Sequence, residues 1–227
     1  MREIVLDTET TGLDPFSGDR LVEIACVELV NCIPTGAFFH TYINPERDVP
    51  ERATQVHGLT LDFLKDFPVF EAVYEKFLSF IKGDPLVIHN ASFDLKFLNY
   101  ELKQKEQGPL SNPTVDTLKI ARAKFPGSPA SLDALCRRFK IDLSNRTQHG
   151  ALVDCELLSG VYLELCGGRQ RGIFGTQPQE TSGAGGVALS HQDLLKHYQS
   201  RPAQQPRSFS VSEAEKKKHI EFLKLKL

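Results

Sequence analysis

Four carboxylates and one histidine in this sequence have residue types suited to metal-dependent hydrolysis. Asp7 and Glu9 are two residues apart, so a strand would present both side chains on one face, about 6 to 7 Å apart along the backbone. Asp94 and Asp154 each lie close to the start of a predicted helix. Carboxylates gathered at one sheet edge repel each other unless cations lie between them, and oxygen ligands select hard ions such as Mg²⁺ or Mn²⁺. Two such ions would activate a water molecule and stabilise the departing oxygen of a phosphodiester.

His149 suits the role of a general base. A neutral imidazole beside the attacking water can remove its proton near physiological pH. His149 and Asp154 are five residues apart and would lie on different faces of a helix if both were helical. We therefore predict that His149 lies on the loop before the helix, with Gly150 as a flexible joint that lets the side chain move into place with substrate.

Some of these acidic positions also have a purely structural interpretation. Asp7 and Glu9 could mark a strand end that enters solvent, and Asp94 could complement the dipole of a helix N-terminus. Gly12 favours the functional interpretation of Asp7 and Glu9. It permits a tight turn directly after the first two carboxylates and lets a ligand approach the backbone closely.

The strands and helices predicted from the apolar pattern indicate an α/β fold with a mixed sheet flanked by helices, which must position these residues. Short apolar or β-branched runs predict strands at residues 3–8, 21–29, 37–43, 86–89 and 114–116, with a turn at 31–36. Helical spacing of apolar residues predicts helices at 70–82, 92–105, 131–139 and 151–166, and another that ends near Pro126. Ser131 is the predicted N-cap of the helix at 131–139.

Composition and charge exclude several classes of protein. The sequence is 41% hydrophobic and 25% charged, which excludes wholesale disorder. Its apolar runs are far shorter than the roughly 20 residues needed to cross a bilayer. Glu3 and Asp7 interrupt any secretory signal, so we expect a cytoplasmic protein. The 27 Lys and Arg against 29 Asp and Glu give a net charge of -2, so a nucleic-acid substrate would need metal ions or a tether.

Three separated motifs resemble those of one enzyme family. The runs DTETTG at 7–12, HNAxFD at 89–94 and HxAxxD at 149–154, in this order, resemble the DEDD exonucleases of the histidine branch. The resemblance covers about residues 1–166 and implies an RNase H-like fold with metal-dependent 3′ to 5′ release of nucleoside monophosphates. Carried over by position, it implies that His149 is the general base and that the metal ligands are Asp7, Glu9, Asp94 and Asp154.

The same resemblance implies contacts to the substrate. The run VHGL at 56–59 also looks like a family motif, and we expect it in the loop after the third strand, where it would contact the terminal nucleotide. The residues that the resemblance assigns to substrate binding are Asp7, Glu9, Thr10, Gly12, Leu13, Val56, His57, Phe93 and Asp154.

The composition changes after residues 1–168, which form the predicted exonuclease domain. Residues 169–210 are rich in Gly, Gln, Ser and Pro, which predicts a flexible linker, and Ser212 with Glu215 forms a capping box for a helix at 211–227. This layout is similar to the proofreading subunits of bacterial replicases.

The similarity of layout implies several partners. They are a single-stranded 3′ end of DNA, the catalytic subunit of the replicative polymerase and the sliding clamp, and a small accessory subunit is left open. The implied clamp-binding residues are Gln170, Ile173 and Phe174, and the implied polymerase-binding residues are Ile220, Leu223 and Leu227.

Two other functions are compatible with the sequence. A stand-alone exonuclease acting on RNA or DNA would use the same chemistry without requiring the linker and the terminal helix. A catalytically silent adaptor between polymerase and clamp would use the carboxylates only to fold the domain. The adaptor is disfavoured because all five positions of the catalytic pattern are filled.

Overall fold

The computed structural model describes residues 1–144 and 149–168. The predicted linker and terminal helix, with the six residues assigned to clamp and polymerase binding, therefore lie outside the described residues. Within them, a single five-stranded sheet has the strand order β3-β2-β1-β4-β5. The strands are β1 Arg2–Thr10, β2 Leu21–Val30, β3 Ile33–Tyr42, β4 Leu86–Ile88 and β5 Thr114–Asp116. Strands β1, β4 and β5 are parallel, whereas β2 is antiparallel to both β1 and β3, which confirms the predicted mixed sheet.

Seven α-helices in the described part of the chain accompany this sheet. They are α1 Glu51–His57, α2 Leu61–Leu64, α3 Phe70–Ile81, α4 Ala91–Gln104, α5 Thr117–Lys124, α6 Leu132–Phe139 and α7 Ala151–Leu165. Ser131 is the N-cap of α6, as predicted, since its side chain accepts a hydrogen bond from the Ala134 N–H. Residues 1–144 and 149–168 contain no helix with the length and hydrophobicity of a membrane span.

The central strand β1 is buried from both sides because its side chains alternate between two helical layers. Ile4 and Leu6 belong to the core formed with α3 and α4, whereas Val5 belongs to the core formed with α6 and α7. All three side chains are fully buried, and each stabilises the fold by about 1.5 to 3 kcal/mol. The strand that carries the first two candidate carboxylates is therefore held firmly in one register.

The hairpin between β2 and β3 is tighter than predicted. Strand β3 begins at Ile33, so the predicted turn at 31–36 shrinks to Asn31 and Cys32. Both residues have left-handed φ angles, 55° and 66°. Two such residues form a turn whose twist matches that of the flanking strands, which lets Ile33 pair directly with Val30.

Two helices between β3 and α3 were not predicted, and one of them changes the interpretation of the VHGL run. Val56 and His57 are the last residues of α1, so the prediction that they lie in a loop was wrong. Gly58 ends the helix because it adopts φ 76°, and its N–H donates to the Thr54 carbonyl.

Candidate active site

The sheet topology brings the first three acidic residues to one edge. Asp7 and Glu9 lie in the last part of β1. The neighbouring β4 runs parallel to β1 and is followed at once by α4, whose first turn carries Asp94. Asn90 makes this abrupt connection with a left-handed φ of 69°. Because parallel strands end at the same edge of a sheet, the acids of β1 and α4 meet there.

Thr8 connects the acidic strand to Asp94. Its side chain leaves the face of β1 opposite to Asp7 and Glu9, towards the layer that contains α4. The Thr8 hydroxyl donates a hydrogen bond of 2.7 Å to Oδ1 of Asp94, and both side chains are buried. The middle residue of the Asp7–Glu9 run therefore orients the third carboxylate, a role that its residue type alone did not indicate.

The start of α7 brings Asp154 and His149 together. His149 and Gly150 precede the helix, as predicted, and Oδ2 of the buried Asp154 lies 3.3 Å from Nδ1 of His149. The His149 side chain is 50% exposed, and its backbone N–H donates to the Val56 carbonyl at 3.1 Å. Gly150 is extended, with φ -154°, a conformation open to any residue, so its backbone geometry does not itself require a glycine joint.

The side chains converge on a group that could hold a cation. Glu9, His149 and Asp154 each offer a ligand atom, and these atoms lie within 4.8 Å of one another. Burial raises the pKa of Asp7 well above its usual value, and the charges of Asp94, Glu9 and Asp154 raise it further. Burial also raises the pKa of Asp94. Such crowding disfavours the charged forms and would be relieved by a divalent cation, so the donor set fits hard metal ions.

A side chain approaches the backbone closely at Gly12. A Cβ atom at this position would lie only 2.2 Å from a carboxylate oxygen of Asp19. Asp19 also accepts the Asp14 N–H at 3.1 Å and pairs with Arg47 at 3.2 Å, so it holds the loop after β1 closed. Gly12 thereby fixes the loop that presents Leu13, whose side chain is 78% exposed beside the acidic edge.

The other residues assigned to substrate binding fall into exposed and buried groups. The Val56 side chain is 47% exposed, whereas His57 is only 5% exposed. Nδ1 of His57 accepts the Leu59 N–H at 3.0 Å, and its buried Nε2 has no hydrogen-bond partner among the described residues. Thr10 donates to the Gly12 carbonyl at 2.6 Å, and Phe93 packs against the ring of Phe97.

Glu23 is a further residue of the site that the motifs did not reveal. It pairs with Glu9 across β1 and β2, so both side chains lie on the same face of the sheet. Its side chain is 4% exposed and lies 2.7 Å from Nε2 of His40. Its other oxygen accepts the N–H of Ala151, the first residue of α7, at 3.1 Å. The available sequence signal was a carboxylate within an apolar run, since Glu23 is the one charged residue of the first seven in β2.

Replacing Glu23 with Ala is expected to lower nuclease activity about 10- to 100-fold, the usual effect of losing a residue that orients ligands. The start of α7 would lose its anchor, which would displace Asp154 and His149. Glu23→Gln keeps an acceptor for Ala151 and should retain most activity. Steady-state kinetics and melting temperatures would be measured together for both variants.

Glu28→Ala is the matched control for Glu23, because Glu28 lies on the same strand but pairs with Arg2 at the far end of β1. It should lower the melting temperature without changing activity. Equal activity losses in Glu23→Ala and Glu28→Ala would show that Glu23 has no specific role in the site.

Comparison with known proteins agrees with this fold. The family model described as Exonuclease matches residues 4–162. The solved structure of Exonuclease X in complex with 5′ overhanging duplex DNA is 25% identical, with a TM-score of 0.58, over 72% of this chain and 90% of that one. The nuclease domain of 3′hExo bound to rAMP is 19% identical, with a TM-score of 0.62, over 75% of this chain and 94% of that one. The predicted RNase H-like exonuclease fold is confirmed.

Similarity to curated proteins shows to which group of exonucleases the chain belongs. DNA polymerase III subunit epsilon of Rickettsia felis is 55% identical over 175 residues, 75% of this chain and 76% of the relative. The subunit of the same name from Escherichia coli K12 is 46% identical over 181 residues, 76% of this chain and 74% of the relative. The chain therefore belongs to the exonuclease family and, within it, to the epsilon subunits of DNA polymerase III.

Proposed function

We propose that this chain removes nucleotides one at a time from the 3′ end of newly made DNA and releases nucleoside 5′-monophosphates, as the proofreading subunit of a bacterial replicase. The observation that carries this proposal is the convergence of Glu9, His149 and Asp154, with Asp7 buried and close enough to Glu9 and Asp154 for the charges of these two carboxylates to raise its pKa further. Membership of the epsilon subunits supports the assignment to DNA and to proofreading.

The carboxylates are the proposed binding site for two divalent cations, Mg²⁺ or Mn²⁺. Asp7, Glu9, Asp94 and Asp154 supply only oxygen ligands, which suit these hard ions. When bound, the cations would lower the pKa of the attacking water and stabilise the charge on the departing oxygen. The Thr8 hydroxyl, which donates to Oδ1 of Asp94, restrains the direction in which that carboxylate can bind.

His149 is the proposed general base. Its side chain is half exposed on the segment before α7, so it can meet a water molecule at the surface of the acidic cluster. The nearby Asp154 carboxylate would stabilise the imidazolium that forms when His149 takes the proton. The hydrogen bond from the His149 N–H to the Val56 carbonyl ties the base to the end of α1.

The terminal nucleotide is proposed to lie over the exposed apolar side chains of Leu13 and Val56, which are 78% and 47% exposed. Nε2 of His57, which is buried without a hydrogen-bond partner among the described residues, is proposed as a further contact to this nucleotide. A site that accepts only an unpaired strand gains selectivity because mismatched ends fray more readily than paired ends. Recognition of the wrong base is then unnecessary.

The proposed partners compensate for the low charge of the chain. With a net charge of -2, the protein should hold single-stranded DNA weakly, whereas a tether raises the effective concentration of the 3′ end to roughly millimolar. We propose that residues 211–227 bind the polymerase catalytic subunit through Ile220, Leu223 and Leu227. Within the proposed linker, residues 170–174 would bind the sliding clamp. A small accessory subunit is also compatible with this assembly.

The proposed function is tested with primers that differ only at the 3′ end. With Mn²⁺, the protein should shorten a single-stranded or 3′-mismatched DNA primer from its 3′ end and should shorten a fully paired primer more slowly. An RNA strand of the same sequence tests the preference for DNA. Equal rates on paired and mismatched ends, or faster degradation of the RNA, would contradict the proofreading assignment.

A further inference from the structure

A second group of side chains shares a cavity with the candidate active site. The cavity has a volume of about 650 Å³ and is lined by Asp7, His149 and Asp154, and also by Arg122 and Ser128. This volume lies within the range of about 300 to 1,000 Å³ that is typical of ligand sites. The cavity therefore has room for more of a substrate than the scissile phosphate.

The strand order shows which way the cavity extends. Strand β4 lies between β1 and β5, and α5 follows β5 directly. The lining residues His89 and Asn90 come immediately after β4, and Leu118 and Arg122 belong to α5. The cavity thus runs from the acidic end of β1, past the end of β4, to α5.

The charge of Arg122 is not paired within the described part of the fold. Its side chain is exposed and makes no hydrogen bond or ion pair with residues 1–144 or 149–168. By contrast, Arg20 binds Glu101 through two hydrogen bonds of 2.6 and 3.1 Å, and Arg137 lies 3.9 Å from Asp133. An unpaired guanidinium in a cavity shared with carboxylates is available to an anionic ligand.

Arg122 and His89 line the same cavity, so the guanidinium and the imidazole share one space. Burial lowers the pKa of His89, the charge of Asp116 raises it, and the positive charge of Arg122 lowers it. The planar guanidinium can donate two parallel hydrogen bonds to a phosphate. A DNA strand whose scissile phosphate lies at the carboxylates presents its next phosphate to a neighbouring site.

We propose, on the basis of the proposed function, that Arg122 binds the backbone phosphate on the 5′ side of the scissile one. The terminal nucleotide then lies towards Leu13 and Val56, and the rest of the strand leaves through the cavity towards α5. His149 lies between these two regions, since its backbone binds the Val56 carbonyl and its side chain lines the cavity.

The test compares a substrate that has only the scissile phosphate with one that has several. Arg122→Gln should raise the KM for a single-stranded oligonucleotide about 10- to 100-fold, the effect of losing a charge-assisted hydrogen bond. Hydrolysis of the p-nitrophenyl ester of thymidine 5′-monophosphate should be unchanged, because this ester has no second phosphate. For the oligonucleotide, the slope of log KM against log salt concentration should be smaller by about 0.7 in Arg122→Gln than in the wild type. Arg137→Gln is the matched control, since Arg137 is 73% exposed outside the cavity, and it should change neither substrate's kinetics.

A second arm changes the DNA instead of the protein. An uncharged methylphosphonate at the linkage next to the terminal one should weaken binding to the wild type as much as Arg122→Gln does, and should not weaken binding to the variant further. If the methylphosphonate weakens binding equally in the wild type and in Arg122→Gln, this phosphate is bound by another residue. If Arg122→Gln and Arg137→Gln behave alike while the wild type cleaves both substrates, the role of Arg122 is refuted and the proposed function stands. If the wild type cleaves neither substrate, the proposed function itself fails.

Discussion

Replacing Asp7 with Asn is expected to slow the release of nucleotides from a DNA 3′ end by more than about 10³-fold, because it removes a metal ligand from the centre of the acidic cluster. The side chain keeps its size, so the fold should persist. Single-turnover measurements with Mn²⁺ on a single-stranded primer would give the loss directly. Activity within tenfold of the wild type would exclude Asp7 as a metal ligand.

The same substitution should stabilise the metal-free protein. The pKa of Asp7 is raised in the folded state, so the folded protein holds a proton that the unfolded chain releases. The free energy of unfolding therefore decreases as the pH rises from the usual pKa of Asp towards the raised value. In EDTA at neutral pH, Asp7→Asn should melt at a higher temperature than the wild type.

Metal addition supplies the complementary measurement for Asp7. Mn²⁺ should raise the melting temperature of the wild type and have a smaller effect on Asp7→Asn, because a bound ion stabilises only the folded state that holds it. Asp62→Asn is the control, since that side chain is 92% exposed and pairs only weakly with Lys65. A variant that melts lower than the wild type in EDTA and gains as much from Mn²⁺ would contradict the crowding of charge around Asp7.

Replacing His149 with Ala should slow turnover by about 10²- to 10⁴-fold, the usual range for loss of a general base. The carboxylates remain, so the stabilisation by Mn²⁺ should be close to that of the wild type. Because the His149 side chain is half exposed, added imidazole should reach the vacated position and restore part of the rate. Normal turnover in the variant would mean that another group accepts the proton.

The acidic residues could be placed from the sequence because their positions depend on short-range rules. The alternation of strand side chains puts Asp7 and Glu9 on one face, and buried strand ends followed by helix starts put Asp94 at the same edge. The sequence order of the motifs identified the family. These features depend on residues that are close together in the sequence, and the periodicity of apolar residues detects such short-range relations.

The supporting contacts could not be placed because they join distant parts of the chain. Glu23 and Ala151 are 128 residues apart, and Thr8 and Asp94 are 86 residues apart. No local pattern specifies either hydrogen bond. The short helix α1 was missed for another reason, since it has seven residues and its Val56 is 47% exposed, so it shows no apolar stripe.

The alternation of Asp7, Thr8 and Glu9 between two layers restricts where residues can be inserted into this chain or deleted from it. One residue inserted or deleted upstream in β1 would exchange the two faces, sending the acids towards α4 and the threonine towards α7. The two carboxylates of β1 and the hydrogen bond from Thr8 to Asp94 would be lost at once, even with the amino-acid composition nearly unchanged. Length variation among descendants of this chain should therefore spare the central strand and accumulate in surface connections such as residues 106–113.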